Sequence, residues 1–173
     1  MTVGTIVSIV YSGLVADEET KKKNPLGATG ETVAENVRRL RGDMQYTKLA
    51  ARLIEIGRPI PTLGLRKIES NERRVDTDDL LALAAALEVS PIALLMPYPS
   101  ADRAAHVDVT GAPSNATAED LWAWLIADRP LPGMSVGLGT FRDNSWPEWH
   151  RRALEELDAE LRQRGVRGYG DDK

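Results

Sequence analysis

The chain contains no cysteine, and it has few aromatic residues: four tryptophans, four tyrosines and one phenylalanine among 173 residues. Disulfide bonds, thiolate zinc sites and cysteine nucleophiles are therefore excluded, and a core would be built mainly from Leu, Ala, Val and Ile. The apolar stretch at residues 3–15 is too short to span a membrane. It also lacks the basic start and the cleavage site of a signal peptide. We therefore expect a cytoplasmic protein with no membrane partner.

Residues that would support catalysis or metal binding are also scarce. The two histidines, His106 and His150, lie far apart and form no H-E-x-x-H pattern. No lysine occurs between Lys67 and Lys173, so a serine–lysine catalytic pair in the C-terminal part would lack its general base. No glycine-rich loop is followed by the lysine of a phosphate-binding site. The sequence predicts a protein that is not an enzyme and that uses neither a metal nor a cofactor.

The charge is segregated along the chain, although the net charge is only −4. Residues 34–75 carry ten basic and five acidic side chains, whereas residues 76–173 carry nine basic and seventeen acidic ones. Attraction to a phosphate backbone needs a locally basic face and not a basic whole protein. The segregation is compatible with a nucleic-acid-binding segment followed by an acidic remainder, and the same charges also suit an ordinary solvated surface.

In the N-terminal half of the chain, the predicted secondary structure changes at Glu31 from an irregular arm to helices. Residues 1–30 hold a short β-prone run, a lysine cluster at residues 21–23 and a break at Asn24-Pro25, and we expect a flexible arm there. From Glu31 the apolar residues recur at helical spacing, and five short helices with one apolar side each are predicted before Pro97. Their first residues or caps are Glu31, Tyr46, Thr62, Asp76 and Ser90, and the second and third helices end near Ile56 and Ser70.

Three helix starts carry an acidic residue three positions after the cap, as in a capping box. They are Asp76 with Asp79, Thr117 with Asp120, and the string Ser145-Trp146-Pro147-Glu148. Each of them predicts that a helix begins at that point of the chain.

The C-terminal part is predicted to be a small helical region at residues 117–165. Residues 100–116 have the composition of a linker, and residues 130–139, with three glycines, are predicted to form a loop or an extended segment. Four residues of the last helix recur at 4-3-4 spacing, which is typical of a coiled-coil seam. They are His150, Leu154, Leu157 and Leu161. Gly165 is predicted to end this helix, ahead of a tail at residues 166–173.

From Glu31 to Pro97 the order of these signals resembles the Cro/phage-repressor (Xre-type) helix-turn-helix family, of the actinobacterial or actinophage type. The matching strings are Val37-x-x-Leu40-Arg41, Leu49-Ala50-x-x-Leu53, Leu65-Arg66-Lys67-Ile68-Glu69, Arg73-Arg74-x-Asp76 and Leu80-Leu81-x-Leu83-Ala84-x-Ala86-Leu87-x-Val89-Ser90-Pro91. They cover less than half of the chain, and their joint order and spacing, not any single string, are specific. The resemblance implies an all-α fold with a five-helix repressor-like domain at residues 31–99, followed by a small helical C-terminal region.

The resemblance also implies a function, because the second and third helices of this family form a unit that places the third helix in the major groove of DNA. We therefore expect a sequence-specific transcriptional regulator, most simply a repressor, for instance of the phage immunity type. Arg66 suits a bidentate contact to guanine and Lys67 suits a phosphate, with Leu65 and Ile68 turned inward. The predicted DNA contacts are Gln45, Tyr46, Arg58, Thr62, Leu63, Gly64, Arg66, Lys67, Asn71, Arg73 and Arg74.

Two features depart from the family pattern. The connection at residues 54–61 is longer than the usual turn, so that either the second helix gains a turn or the connection forms a wing that contains Arg58. Leu63 and Gly64 offer no side-chain hydrogen bond at positions that should face bases. Leu63 would then contact a thymine methyl group and Gly64 would allow close approach, unless the insertion shifts the frame.

The role of the C-terminal helices is open between three interpretations. In the first, they form a homodimer or pack as a lid over the DNA-binding domain of a repressor. In the second, they bind a partner protein, as in an antitoxin-like or adaptor protein that uses DNA binding for autoregulation. In the third, they complete one enlarged core. The residues predicted to make dimer or partner contacts are Trp122, Trp146, Trp149, Leu154, Leu157 and Leu161, with Trp124 beside them.

Overall fold

A computed structural model of the chain describes residues 25–98 and 102–165. Its helices are α1 (Ala28–Arg41), α2 (Tyr46–Glu55), α3 (Thr62–Glu69), α4 (Thr77–Ala86), α5 (Pro91–Leu95), α6 (Ala118–Leu125), α7 (Leu138–Ser145) and α8 (Glu148–Gln163). Within the two described ranges there is no strand, only an isolated antiparallel bridge between His106 and Thr117, so that the all-α prediction is confirmed there. The predicted arm before residue 25, with its lysine cluster, and the tail at residues 166–173 lie outside the described residues.

Helices α1 to α5 surround a first core. Its most deeply buried side chains, each 0% exposed, are Val37, Leu49, Leu53, Leu65, Ile68, Leu83 and Leu94. Helix α1 begins at Ala28, three residues before the predicted start at Glu31. Gly30, which was expected to lie in the flexible arm, lies in the first turn of α1, where a Cβ would be 3.1 Å from Leu26 Cγ. No described helix is long and apolar enough to cross a bilayer.

Two polar side chains are buried in this first core, Asn36 and Asp79, each 1% exposed. Asn36 Nδ2 donates to the carbonyl oxygens of Leu94 at 3.1 Å and Met96 at 2.7 Å. These carbonyls lie at the end of α5, where a short helix leaves its last acceptors unpaired. Arg39 Nε and Nη2 donate to the Asn36 oxygen at 3.2 and 3.0 Å. Asn36 therefore ties α1 to the end of α5.

The predicted caps have different outcomes. Asp76 accepts a bond from the Asp79 backbone N–H at 2.7 Å, but the Asp79 carboxylate bonds elsewhere, so that only half of this box forms. Thr117 and Asp120 form a complete capping box at the start of α6. Ser145 caps nothing, because it is the last residue of α7 and because Pro147 takes the N-cap position of α8. The third predicted box is therefore wrong.

A second, smaller core lies between α6 and the segment before it. Val107 and Val109 are 8% exposed and pack with Ala116 and Leu121, which are 0% exposed. The prediction of a linker at residues 100–116 is thus corrected for residues 102–116. Val107 and Val109 point to the same side because apolar residues at alternate positions of an extended segment do so. The prediction failed because the segment holds few apolar residues and therefore has the composition of a linker. The Thr110 backbone N–H also donates to Thr29 Oγ1 of α1 at 2.8 Å.

Helix α7 was not predicted, since the sequence indicated a loop up to residue 139. The loop ends at Gly137, and α7 is held by contacts distant in sequence. Phe141 is 8% exposed, and Arg142 donates to the Asp128 carbonyl at 3.1 Å and to Asp128 Oδ1 at 3.0 Å. At the other end of α8, Gly165 follows the last turn with a φ of +74°, which confirms the predicted helix end.

Candidate nucleic-acid interface

Helix α3 has one buried and one exposed side. Leu65 and Ile68 are 0% exposed and anchor the helix in the first core, while Arg66 and Lys67 are exposed to solvent. This division follows from the helical period, which puts residues three apart on the same side. Pro61 lies directly before the helix at the N-cap. The burial and exposure of these four side chains are as predicted, and their contact with DNA stays a prediction.

Tyr46, the first residue of α2, lies under two guanidinium groups. The guanidinium carbon of Arg41 is 4.1 Å from the centre of the Tyr46 ring, and that of Arg66 is 5.2 Å from it. The Tyr46 hydroxyl donates to Glu69 Oε2 at 2.7 Å. The hydroxyl proton is thus donated within the fold, and the Tyr46 ring supports Arg66 from α2 through a cation–π contact. The predicted contact of Tyr46 with DNA stays a prediction.

Glu69 closes a network that joins the end of α1, the start of α2 and the end of α3. Its carboxylate accepts from Arg41 Nε at 2.6 Å and from Arg41 Nη2 at 2.9 Å. Burial by itself would raise the pKa of Glu69, but hydrogen bonds from Arg41 and Tyr46, together with the charges of Arg41 and Arg38, hold that pKa below its usual value. The network thus fixes α3 against α2. The spacing of residues in the sequence does not indicate this network, because its three residues lie on different helices.

The long connection between α2 and α3 is fixed by Asp79, whose side chain is 2% exposed. Arg58 Nε donates to Asp79 Oδ1 at 2.8 Å, and Arg73 Nη2 donates to Asp79 Oδ2 at 2.7 Å. Arg58 also contacts Asp76, with Nη2 and Oδ2 2.9 Å apart. Helix α2 gains no turn, since it ends at Glu55. Arg58 and Arg73 hold the loops on either side of α3 against the start of α4. Their predicted contact with DNA stays a prediction.

Gly64 lies beneath the guanidinium of Arg73. A Cβ at residue 64 would be 2.7 Å from Arg73 Nη1 and 3.1 Å from Ile60 Cγ2. The prediction was that glycine at this position lets DNA approach α3 closely. The structure adds a reason within the fold, because the space above the glycine is filled by the arginine that bonds to Asp79. The close approach to DNA stays a prediction.

The segment after α3 has a local role in ending the helix. Asn71 has a φ of +63°, a left-handed conformation that Asn tolerates better than most residues. The following Glu72 N–H donates to the Lys67 carbonyl at 2.8 Å, as in a Schellman ending. The Asn71 side chain is exposed. Arg74, another predicted contact, donates to the carbonyl oxygen of Pro25.

Four basic side chains of residues 34–75 form neither an ion pair nor a side-chain hydrogen bond within the described residues. They are Arg38, Lys48, Arg66 and Lys67. Arg38 and Lys48 were not among the predicted contacts, although their place in the basic segment was a signal that could have included them. All four are exposed.

Three other predicted contacts lie at or near helix starts. Leu63 is 63% exposed in the first turn of α3, and Thr62 is half-buried beside it. Gln45 is exposed at the N-cap of α2 and makes no capping hydrogen bond. An exposed Leu63 can offer an apolar contact, and Gln45 can offer a hydrogen bond.

The residues predicted to contact a second chain differ in how far they are exposed. Trp122, Trp149 and Leu157 are exposed by 49%, 71% and 48%, respectively. Trp146 is engaged within the fold, because its Nε1 donates to the Ala127 carbonyl at 2.8 Å. Leu154 and Leu161 are half-buried.

Comparisons of the chain with protein-family models, with curated proteins and with solved structures find no match. Within the described residues no group of three or more His, Asp or Glu side chains is placed to hold a metal ion. This part of the chain offers two adjacent helices, α2 and α3, with exposed cationic and hydrogen-bonding side chains.

Proposed function

We propose that the chain is a sequence-specific DNA-binding transcriptional regulator of the helix-turn-helix type, which inserts α3 into the major groove of double-stranded DNA. The observation that carries the proposal is the two-sided character of α3. Leu65 and Ile68 hold the helix from behind at 0% exposure, while Arg66 and Lys67 face solvent with no ion pair among the described residues. A helix of this kind fits a groove about 12 Å wide.

The roles of the basic residues support the proposal. Arg41, Arg58 and Arg73 bond to carboxylates within the fold, and this fixes the angle of α3. Arg66 and Lys67 are left for an external anion. Because phosphate contacts position a protein on DNA whereas base contacts specify the sequence, we assign Lys67 to a phosphate and Arg66 to a guanine edge.

The proposal is tested by selecting bound sequences from a random pool of duplex DNA with the full chain. A recurrent motif is expected after several rounds, and its symmetry would show how many copies bind. Absence of any enriched sequence, with equal affinity for all duplexes, would contradict sequence-specific binding.

Two double variants test whether α3 is the element that selects the DNA sequence. Arg66→Ala with Lys67→Ala should abolish the enrichment. The matched control removes two other exposed arginines, Arg152 and Arg162 of α8, whose side chains are 70% and 67% exposed. This control should select the same motif as the unchanged chain, and loss of the motif in both variants would place the recognition outside α3.

A further inference from the structure

The side chain of Arg66 is held differently from three other arginines near α3. Arg41, Arg58 and Arg73 are each bonded to a carboxylate within the fold. Arg66 forms no ion pair and no side-chain hydrogen bond within the described residues, and its guanidinium carbon lies 5.2 Å from the centre of the Tyr46 ring. A guanidinium carries five N–H donors. A carboxylate occupies such donors, whereas an aromatic ring attracts the cation and leaves them unused.

We infer that Tyr46 is a positioning residue for base recognition, which holds the guanidinium of Arg66 ready for a guanine edge without occupying its donors. A bidentate contact to guanine O6 and N7 needs two of these N–H groups side by side. A long side chain that is already held in place loses less rotamer freedom when it makes such a contact. The inference rests on the proposed function, and it adds α2 to the elements that determine sequence specificity.

The Tyr46 ring is itself fixed by charged neighbours. Its hydroxyl donates to Glu69 Oε2 at 2.7 Å and accepts from Arg41 Nη2 at 3.3 Å. The Glu69 side chain is 5% exposed, and its carboxylate accepts from both Nε and Nη2 of Arg41. Because this pairing offsets the charge of Arg41, a second guanidinium can lie near the same ring with less repulsion. The network therefore positions Arg66 through the ring alone.

The test is the base preference of full-length variants. It is measured as the ratio of the affinity for a selected duplex to that for duplexes that differ from it by one base pair. The base pair read by Arg66 is the one at which Arg66→Ala loses the preference. Tyr46→Leu removes the ring but keeps an apolar side chain, and it should reduce the ratio at that base pair about three- to tenfold.

The other readouts of Tyr46→Leu should stay as in the unchanged chain. They are the ratios at the remaining base pairs and the slope of affinity against salt concentration. The salt slope is expected to stay because Lys67 and the other phosphate contacts are retained. A loss spread evenly over all base pairs would show a general displacement of α3 and would overturn the inference.

A double variant shows whether Tyr46 acts through Arg66. If it does, Tyr46→Leu has no further effect on base preference in a chain that already carries Arg66→Ala. An equal loss in both backgrounds would mean that Tyr46 contacts DNA directly or sets the angle of α3. Either result would overturn the inference.

Tyr46→Phe separates the ring from the hydroxyl. This variant should have a lower melting temperature, because Glu69 loses a hydrogen-bond donor. Its preference at the base pair read by Arg66 should stay within about twofold of that of the unchanged chain, because the ring is retained. Loss of this preference would show that the hydroxyl, and not the ring, is responsible, and would overturn the inference.

Tyr98→Leu is the matched control. The Tyr98 ring also contacts a guanidinium, that of Arg39 at 4.3 Å, but Arg39 belongs to α1 and donates to Asn36. Every ratio should therefore stay as in the unchanged chain, and a loss equal to that of Tyr46→Leu would overturn the inference.

The same measurements separate the inference from the proposed function. If the unchanged chain prefers no base pair, both fail. If it has a preference and Tyr46→Leu keeps that preference in full, the inference alone fails.

Discussion

The two parts of the molecule bury their side chains to different degrees. Helices α1 to α5 enclose a core in which seven large apolar side chains are 0% exposed, and their two buried polar residues are fully engaged. Residues 102–165 have a smaller core, and they end in a helix with no buried residue. The first part is stabilised by its own contacts. The second part leaves several large apolar side chains exposed, among them Trp122, Trp149 and Leu157.

The largest difference in stability is expected between a buried leucine of the first part and an exposed leucine of the second part. Leu53→Ala should lower the free energy of unfolding by about 3 kcal/mol, because the side chain is 0% exposed and its loss leaves a cavity. Leu157→Ala, at 48% exposure, should lower it by less than about 0.5 kcal/mol in dilute solution. Urea denaturation followed by circular dichroism measures both. Equal losses would remove the distinction between the two parts.

The next largest effect is expected at a buried ion pair. Asp79→Ala should cost about 2–3 kcal/mol, because Arg58 and Arg73 both lose their shared carboxylate. In the C-terminal part the comparable change is Asp128→Ala. Asp128 is 40% exposed and bonds to Arg142, so that a loss of at most about 1 kcal/mol is expected. A greater loss for Asp128 in the same denaturation assay would contradict this order.

The same glycine substitution should have opposite signs in the two parts. Gly64→Ala puts a Cβ 2.7 Å from Arg73 Nη1 and should destabilise by about 1 kcal/mol despite the better helix propensity of alanine. Gly139 lies in α7 with nothing within 4 Å of its Cβ position, so Gly139→Ala should stabilise by about 0.5–1 kcal/mol. Melting temperatures report both signs. A stabilised Gly64→Ala would show that Arg73 moves away without loss.

The smallest expected effect is a dependence on pH. Because the pKa of Glu69 is lowered on folding, its contribution is present above the unfolded pKa of about 4.3 and is lost as the pH falls through the lower, folded pKa. The difference in free energy of unfolding between the unchanged chain and Glu69→Gln should therefore shrink between about pH 5 and pH 3.

Glu119→Gln is the matched control for this titration. A hydrogen bond from Arg103 lowers the pKa of Glu119 as well, but the Glu119 side chain is 36% exposed, and solvent screens the pair. Its effect should be weaker than that of Glu69→Gln. A difference for Glu69→Gln that stays constant with pH would show that the network contributes no titrating charge.

The sequence predicted the first part of the fold well because local signals there agree with packing. The spacing of Leu49 with Leu53 and of Leu65 with Ile68, together with the cap at Asp76, was enough to locate α2, α3 and α4. The sequence did not predict α7, because Leu138 and Gly139 have the composition of a loop. This helix also depends on the contact between Arg142 and Asp128, which are distant in sequence.

The candidate site was predictable to a similar extent. The exposure of Arg66 and Lys67 follows from the helical period. The ion pairs of Arg58 and Arg73 with Asp79 could not be predicted in this way. The sequence alone does not distinguish an arginine that contacts DNA from one that bonds to a carboxylate distant in the chain. Only the path of the chain shows that Asp79 lies between them.

The most direct test of the account is the affinity of α3 variants for a selected duplex and for a scrambled one, measured by fluorescence anisotropy over a range of salt. Arg66→Ala should weaken binding to the selected site by about 1–3 kcal/mol, with a smaller effect on the scrambled duplex. Lys67→Ala should weaken both alike and reduce the salt slope by about 1. If both variants bind as tightly as the unchanged chain at every salt concentration, α3 is not the element that reads DNA.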